Sequence, residues 1–578
     1  MSLAPNLSEE SAMATSLDHP PPVDQPSPPF PADRAARYLR EGLWDGQTLG
    51  DALRSTAARH AERTALVTLE RRWTYRELDE LTEAFAAGLL ASTGLAPGDR
   101  VMFQLGNVAE TVVAYYGAVK AGVVPVCALP QHGEREISLL ARHTGARGHA
   151  VQADFANRDL VGLGTRLAGT VDVLDTLIVV QGPAPAGAHS YEDILGAGAN
   201  PAARERLAAV AIDPAGIVAF QLSGGTTGLP KVAPRRHQEY LYNSRIWAEA
   251  LELTPDSVVL HPLPIMHNAG IAAALQPAHL AGATCVLAPS AEAGAVLELI
   301  ERERVTAMPV VPPAVAIRML DHPAARSAEL RSLTRFVLGG QRPSVELLER
   351  LESELGIPTQ QMFGMAEGLF LYTPPDAPEW VRRTTVGTPV SPADEVRVLA
   401  IGTEDEVPDG ERGELACRGP YTIPGYHRAA QHNANSFTTD GFYRTGDLVT
   451  RHVVDGRAYY AIDGRIKDVI NRAAEKIHAE EVEELLVRHP DIHNAALVAM
   501  PDPVLGERIC AYLVLEPGAA DPTVASVGEF LLDQGLARFK LPERLELVAQ
   551  FPLTNVGKVA KKDLRADIAN KIQREGAA

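Results

Sequence analysis

Between positions 222 and 231 the chain reads Leu-Ser-Gly-Gly-Thr-Thr-Gly-Leu-Pro-Lys, gathering Ser223, Gly224, Gly225, Thr226, Thr227, Gly228 and Lys231 into one turn. Glycines let backbone N–H groups approach an anion closely, and the hydroxyls and ammonium add donors. The chemistry such a loop suits is holding a polyphosphate. It is not the common nucleotide P-loop, which needs Gly-Lys-Ser/Thr, because Leu229 and Pro230 separate Gly228 from Lys231. Alone, the string also fits an ordinary Gly/Thr surface turn, so other segments must decide. Those segments follow in order: Phe363-Gly364-Met365-Ala366-Glu367-Gly368, Gly441-Phe442-Tyr443-Arg444-Thr445-Gly446-Asp447, Gly464-Arg465-Ile466-Lys467-Asp468 and Asn555-Val556-Gly557-Lys558. The pair His267-Asn268 precedes them.

The elements that must position these residues alternate. The glycine-rich string follows an apolar run at 216–220 that reads as a buried strand, and it precedes a helical pattern over 237–251. An apolar run, a helical pattern through Val112, Tyr115, Tyr116 and Val119, and a second apolar run at 123–129 predict a strand, crossover helix and strand. Similar alternation recurs at 257–263, 305–320, and 335–339 followed by 344–355. These patterns predict an α/β fold: a large N-terminal body of layered, largely parallel sheets and helices. The character changes near 464–468. A helix with Val482, Leu485, Leu486 and His489 on its apolar face, strands at 495–500 and 509–515, and a helix at 527–534 predict a small α+β C-terminal domain, ending in a basic tail with Lys558, Lys561 and Lys562. The expected division is a Pro-rich disordered tail at 1–35, a body at 36–466 and a mobile small domain at 467–578.

Size and composition agree. A chain of 578 residues exceeds what one core usually supports. No apolar stretch reaches the roughly 18 residues that a membrane helix needs. The formal charge of −19 opposes general attraction to nucleic acid. Cys127, Cys285, Cys417 and Cys510 lie far apart without metal-ligand spacing, so reduced structural thiols are expected. The N-terminus has no basic region followed by an apolar core, and a cytoplasmic location is the expectation.

Taken together, these strings resemble the acyl-adenylate-forming superfamily, which includes acyl-CoA synthetases, carrier-loading adenylation domains and beetle luciferase. The resemblance runs from about residue 50 to residue 570. Within it the chain is most similar to stand-alone aryl-acid AMP ligases of the 2,3-dihydroxybenzoate and salicylate kind. That likeness rests on 222–231 with Val232-Ala233-Pro234-Arg235, His267-Asn268, the string at 363–368, the string RGPYTIPGY at 418–426 and Gln431-His432-Asn433.

The resemblance implies a ligase of two steps, using ATP and Mg²⁺, in siderophore or natural-product biosynthesis. A carboxylate attacks the α-phosphate and pyrophosphate leaves; the aryl group then passes to coenzyme A or to the phosphopantetheine of a carrier protein. Thr226, Thr227 and Lys231 would hold the β- and γ-phosphates, with Ser223, Gly224, Gly225 and Gly228 shaping the loop. Glu367 would supply an oxygen ligand to Mg²⁺, and Gly364, Met365 and Ala366 would border the nucleotide. Asp447 would accept hydrogen bonds from both ribose hydroxyls, Arg465 would touch the ribose or phosphates, and Lys467 would mark the hinge. Lys558 would bridge the substrate carboxylate and the α-phosphate. Each has a plainer alternative: a loop carboxylate for Glu367, a turn residue for Asp447, an exposed tail lysine for Lys558. Asn268, Ala269, Ala273, Gly339, Gly340 and Phe370 would form the aryl pocket, with His267 as its gate.

Four departures from the aryl-acid pattern bear on substrate and acceptor. Ala269 stands where an aromatic residue is usual, and Ala273 where a serine meets the ring's 3-hydroxyl. Phe370 replaces a small aliphatic residue and could refill the space at Ala269. Hydrogen bonding discriminates far better than one methylene, so strict selection of 2,3-dihydroxybenzoate is not expected, and salicylate, anthranilate and 3-hydroxyanthranilate are candidates beside it. Ala473-Ala474 stands where paired glycines usually flank the thiol channel. Two competing readings are an aliphatic acyl-CoA ligase and a noncatalytic nucleotide-binding relative; the latter has no need of Lys231, Glu367, Asp447 and Lys558 together.

Overall fold

The computed structural model describes residues 27–223, 231–472, 475–502, 506–534, 536, 538–554 and 558–576. They form two compact units. One takes in the described residues up to Glu62, with Thr74–Leu241 and Ile423–Asn435; the other takes in Arg63–Trp73, Tyr242–Thr422 and the described residues from Ser436 onward.

The first unit is built on a seven-stranded sheet in the order His189–Ser190, Thr176–Val180, Ala146–Gln152, Arg100–Gln104, Val124–Val126, Ile217–Ser223, Lys231–Arg236. Its strands run parallel except the last, which returns antiparallel on Ile217–Ser223. The run Thr-Leu-Ile-Val-Val at 176–180 is buried at every position, the signature of a parallel strand covered on both faces. The expected strand, helix and strand are Arg100–Gln104, the buried helix Ala109–Lys120 and Val124–Val126. Of the tail expected over 1–35, residues 1–26 lie outside the described residues. Residues 27–35 do not follow that expectation: Ser27 Oγ lies 2.8 Å from His427 Nδ1, Phe30 packs edge-on against Trp44, and a helix spans Ala32–Arg40.

The second unit holds a nine-stranded sheet in the order Thr388–Pro389, Gly368–Tyr372, Thr359–Met365, Arg335–Gly339, Ala307–Val311, Val258–His261, Thr284–Leu287, Thr64–Val67, Arg72–Thr74. Helices Ala293–Glu303, Pro313–Asp321 and Val345–Leu355 pack Val296, Leu299, Val315, Met319, Leu347 and Leu351 onto it. Ser344 caps the last of these helices, accepting from Leu347 N, and Gly356 ends it at φ 65°, a left-handed geometry that suits glycine. A four-stranded antiparallel sheet follows, Glu395–Leu399, Arg412–Arg418, Tyr443–Val454, Arg457–Arg465.

After a 3₁₀ turn at Ile466–Asp468 the chain enters a fourth sheet, ordered Glu475–His478, Val469–Arg472, Gly506–Leu515, Ile492–Asp502, with Arg544–Leu547 beside Gly506–Leu515. The side chain of Lys467 and residues 473–474 lie outside the described residues. The stretch read as a basic tail is instead the helix Lys561–Gly576. Its Leu564 and Ile568 are buried against Ala496, Val498, Cys510 and Tyr512, and Lys561 pairs with Glu483 at 2.7 Å. All four cysteines are free and buried. Among the described residues no helix is long and apolar enough to cross a membrane.

Candidate active site

Within the first unit, Ser223 closes one strand and Lys231 opens the next; the two face each other across the hairpin. The expected phosphate-holding residues Gly224, Gly225, Thr226, Thr227 and Gly228 lie outside the described residues. The Lys231 ammonium sits over the Tyr426 ring, 5.1 Å from its centroid.

The second unit brings most of the other candidates together. Glu367 is at the tip of a tight hairpin, because Met365 pairs with Gly368 across Thr359–Met365 and Gly368–Tyr372, leaving only Ala366 and Glu367 to turn the chain. Gly368 takes φ 130°, and a methyl built there would lie 2.4 Å from the Tyr421 carbonyl oxygen, so only glycine fits. Glu367 is 3% exposed. Gly364 precedes it in the strand, and a side chain there would strike Met362 and the Phe370 ring.

Asp447 and Arg465 face each other across two neighbouring strands, and Arg465 Nε lies 2.7 Å from Asp447 Oδ1. Burial raises the Asp447 carboxyl above the ordinary range; the Arg465 charge, the Thr445 hydrogen bond and the Lys558 ammonium oppose that rise. Asp447, Glu367 and Asp468 in turn hold the Arg465 guanidinium charged. Lys558 lies against Gly340: a methyl built on Gly340 would be 3.3 Å from Lys558 Cε and 3.9 Å from Nζ. Gly340 adopts φ 85° immediately after the strand Arg335–Gly339, and the bend leaves the lysine room. Gly339 is buried over Met362. The Asn555-Val556-Gly557 approach to Lys558 lies outside the described residues.

His267 caps the short turn Asn268–Gly270, its Nδ1 accepting from Ala269 N at 3.2 Å. Desolvation, aided by Lys558, lowers its pKa to about 4, so at neutral pH the ring is uncharged. Asn268 is buried and donates from Nδ2 to the Met365 carbonyl at 3.3 Å, tying this turn to the Glu367 hairpin. The chain then runs as a π-helical turn, Ile271–Leu275, whose Ala273 carbonyl accepts from Trp247 Nε1 at 3.0 Å. Trp247 meets Phe370 edge to face with centroids 5.2 Å apart, and Phe370 meets Tyr421 at 6.2 Å. Phe370 is thus a fixed wall, 2% exposed.

Sequence reasoning missed four contributors. Trp247 holds both Ala273 and Phe370. The Tyr421 hydroxyl accepts from Phe370 N at 3.1 Å and donates to Asp394 Oδ2 at 2.6 Å. Burial pushes the Asp394 carboxyl up to about 8. His261, wholly buried at the C-terminal end of Val258–His261, has neither ring nitrogen hydrogen-bonded among the described residues, and burial near His267 lowers it to about 3. The position of His261 at a parallel strand's carboxyl end was the available signal.

In one unit, then, stand a buried carboxylate with its arginine, a hairpin-tip glutamate, a lysine beside a glycine bend and an aromatic-walled turn. Such an arrangement can hold a hydroxylated sugar and neutralise negative charge. Among the described residues no group of three or more His, Cys, Asp or Glu is placed to hold a metal ion.

Comparison with known proteins agrees with this chemistry. Residues 53–427 match the AMP-binding enzyme family and residues 481–558 the AMP-binding enzyme C-terminal domain. Pyochelin synthase PchD of Pseudomonas aeruginosa is 42% identical over 97% of this chain and 100% of its own. A salicylyl-CoA synthase / salicylate adenylyltransferase of Streptomyces is 42% identical over 94% of this chain and 98% of its own. The 2,3-dihydroxybenzoate-AMP ligase of Bacillus subtilis is 39% identical over the same shares. With matches of that extent, the chain belongs to the AMP-binding, adenylate-forming enzyme family.

Proposed function

We propose that this protein is a ligase that activates an ortho-hydroxy or ortho-amino benzoate with MgATP and passes the aryl group to the thiol of a carrier protein or coenzyme A. The single observation that carries the reading is the juxtaposition of Lys558, Asp447 and Arg465 with the His267-Asn268 turn and the Glu367 hairpin, in a chain whose relatives are named for aryl acids.

The first step joins two anions, so positioning and charge neutralisation must supply most of its acceleration. A carboxylate oxygen of the aryl acid forms a bond to the α-phosphorus, the bond to the bridging oxygen breaks, and pyrophosphate leaves with the electron pair. Lys558 lies between the two reactants and removes their repulsion. Asp447 accepts from the ribose hydroxyls, with Arg465 keeping it ionised and oriented. Thr226, Thr227 and Lys231 hold the departing phosphates.

The buried carboxylate of Glu367 would hold magnesium, a hard cation that takes oxygen donors. Bound there, the ion would supply neutralisation of phosphate charge. Neutral His267 leaves the aryl carboxylate without a competing cation at the pocket mouth. Asn268 meets the ortho substituent, Trp247 and Phe370 wall the ring, and Ala269 with Ala273 leaves its far edge without a side-chain hydroxyl. In the second step a thiolate attacks the carbonyl carbon and AMP leaves. The segment from the turn at Ile466–Asp468 onward is the part that reorients between steps, with Lys467 as hinge.

Pyrophosphate exchange across a panel of carboxylic acids tests the reading. Exchange should require an ortho-substituted benzoate and fall about 10²–10³-fold in Lys558→Ala, the scale of losing one preorganised donor. Exchange with a medium-chain fatty acid and none with benzoates would overturn it.

A further inference from the structure

Within the first unit lies a cavity of about 700 Å³ that none of the residues assigned to adenylation lines. Its wall includes Pro97 and Gly98 before the strand Arg100–Gln104, Gly122 before Val124–Val126, and Gly216 before Ile217–Ser223. It therefore sits at the amino ends of the parallel strands, whereas the glycine-rich string leaves the carboxyl end of Ile217–Ser223. Substrates in open α/β sheets gather at the carboxyl ends, so this is a separate place.

Its chemistry is uneven. Phe220, Val124, Ile212 and Ile217 supply apolar lining, and Arg100, Arg236 and Arg428 supply three guanidiniums, of which Arg100 and Arg428 are near enough to feel each other's charge, against a single lining carboxylate, Asp213. In a chain of net charge −19 such a cluster is out of character. Asp213 is already turned to Ala215 N at 2.9 Å. Among the described residues none of the three guanidiniums forms an ion pair; they are held by backbone carbonyls. Arg100 donates to Thr144 and Gly98, Arg236 to Ala215 and Pro28, and Arg428 to His143.

Donors are left over as well. Arg236 Nε, Arg428 Nε and His427 Nε2 are buried with no hydrogen-bond partner among the described residues, and buried polar groups are rarely left so. His427 is 8% exposed, its Nδ1 engaged by Ser27. Burial and the nearby His143, Arg428 and Arg100 charges keep its ring neutral. Arg428 also takes φ 46°, a left-handed geometry that costs a non-glycine residue and persists only where surrounding structure enforces it. Positive charge is concentrated and partly dehydrated; Glu239 and Asp213 act on Arg236 and Asp99 on Arg100 from nearby, without a direct ion pair among the described residues.

We propose that this cavity binds a small organic anion, a carboxylate or phosphate monoester with an apolar or aromatic body, clamped by Arg100, Arg236 and Arg428 with the body against Phe220 and Ile217. The volume is that of an ordinary small-molecule site, and planar guanidiniums suit both anions through paired hydrogen bonds.

The test is calorimetric titration of the full chain after its adenylation site has been filled with a non-hydrolysable acyl-sulfamoyl adenosine. Phenyl phosphate, benzoate and benzyl alcohol are the probes; the first two separate the anion's source, and the third is the uncharged control. At least one anion should bind with a Kd below about 1 mM, the alcohol should not, and Arg428→Gln should weaken the anion about tenfold or more. Arg100→Lys, which keeps the charge but loses the fork, should weaken it less. Both variants should retain the parent's pyrophosphate exchange and melting temperature, which separates this result from the fate of the ligase reading. Neither anion binding, equal binding of benzyl alcohol, or undiminished binding in both variants would overturn the proposal. So would binding seen only after removal of residues 1–26, which would give the cavity to the chain's own N-terminal segment.

Discussion

Replacing Arg465 by glutamine separates an arginine that merely touches substrate from one that maintains a buried carboxylate. Asp447 is 4% exposed, and its Oδ1 is 2.7 Å from Arg465 Nε. Removing one member of a wholly buried pair costs about 3–5 kcal/mol. The Arg465 side chain is 43% exposed, so water screens one side of the pair and the loss shrinks to about 1–3 kcal/mol. If that loss falls on nucleotide binding in the transition state, kcat/KM for MgATP drops roughly 5- to 150-fold. The pH dependence carries the diagnosis. Without the guanidinium the Asp447 carboxyl rises further, because burial still raises it and only Thr445 and Lys558 oppose. At any given pH more of it is protonated, so the acidic limb of the kcat/KM profile moves to higher pH and the defect grows as pH falls. Stability responds with the opposite sign: a carboxyl whose folded pKa lies above its unfolded value favours the folded state less as pH rises. Arg465→Gln should therefore lose more melting temperature at pH 8 than at pH 5. Pyrophosphate exchange and thermal melts across pH 5–8 measure both. An unshifted pH profile, with KM for MgATP within twofold of the parent, would refute the reasoning.

Three further outcomes are expected. Gly340→Ala places a methyl 3.3 Å from Lys558 Cε at a φ of 85°, which costs about 1–2 kcal/mol of backbone strain. Adenylation should fall roughly tenfold through displacement of the lysine, and a lowered melting temperature with unchanged pyrophosphate exchange would contradict the proximity argument. Ala273→Ser adds a hydroxyl to the buried π-helical turn and should raise the kcat/KM ratio of 2,3-dihydroxybenzoate over salicylate by about tenfold; a ratio that does not move would remove Ala273 from the pocket edge. Asp394, raised to about 8, destabilises the folded state increasingly as pH climbs from its unfolded value toward that point. Asp394→Asn cannot ionise and keeps an acceptor for Tyr421, so denaturation measured from pH 4 to 8 should show its stability gaining on the parent by up to about 4 kcal/mol near pH 7. Parallel stability curves would show that Asp394 stays ionised.

Much of this architecture is visible in the amino-acid order, because buried parallel strands must be apolar throughout. The runs at 216–220, 305–320 and 335–339 emerge as strands or strand and helix pairs for that reason. The helix Lys561–Gly576 was harder to see. Its charged residues suggest a tail, while the apolar spacing of Leu564, Ile568 and Ile572, four residues apart, is what docks it. Motif strings locate Asp447, Arg465, Glu367 and Lys558, yet no string gives the strand register that sets Asp447 opposite Arg465, or the glycine bend beside Lys558. The Asp394–Tyr421–Phe370 chain joins residues 24 to 51 positions apart, beyond the reach of local periodicity. Trp247 and His261 carry no motif at all.

The π-helical turn at Ile271–Leu275 has an evolutionary consequence. Such a turn carries one residue more than an α-helical one, and removing that residue would rotate everything after it by about 100°. The Ala273 carbonyl would then lose Trp247, and with it the ring that braces Phe370. Descendants of this enzyme can exchange side chains along the turn to suit a new acid, but the length of the segment is frozen: new specificities must arise here by substitution, never by deletion.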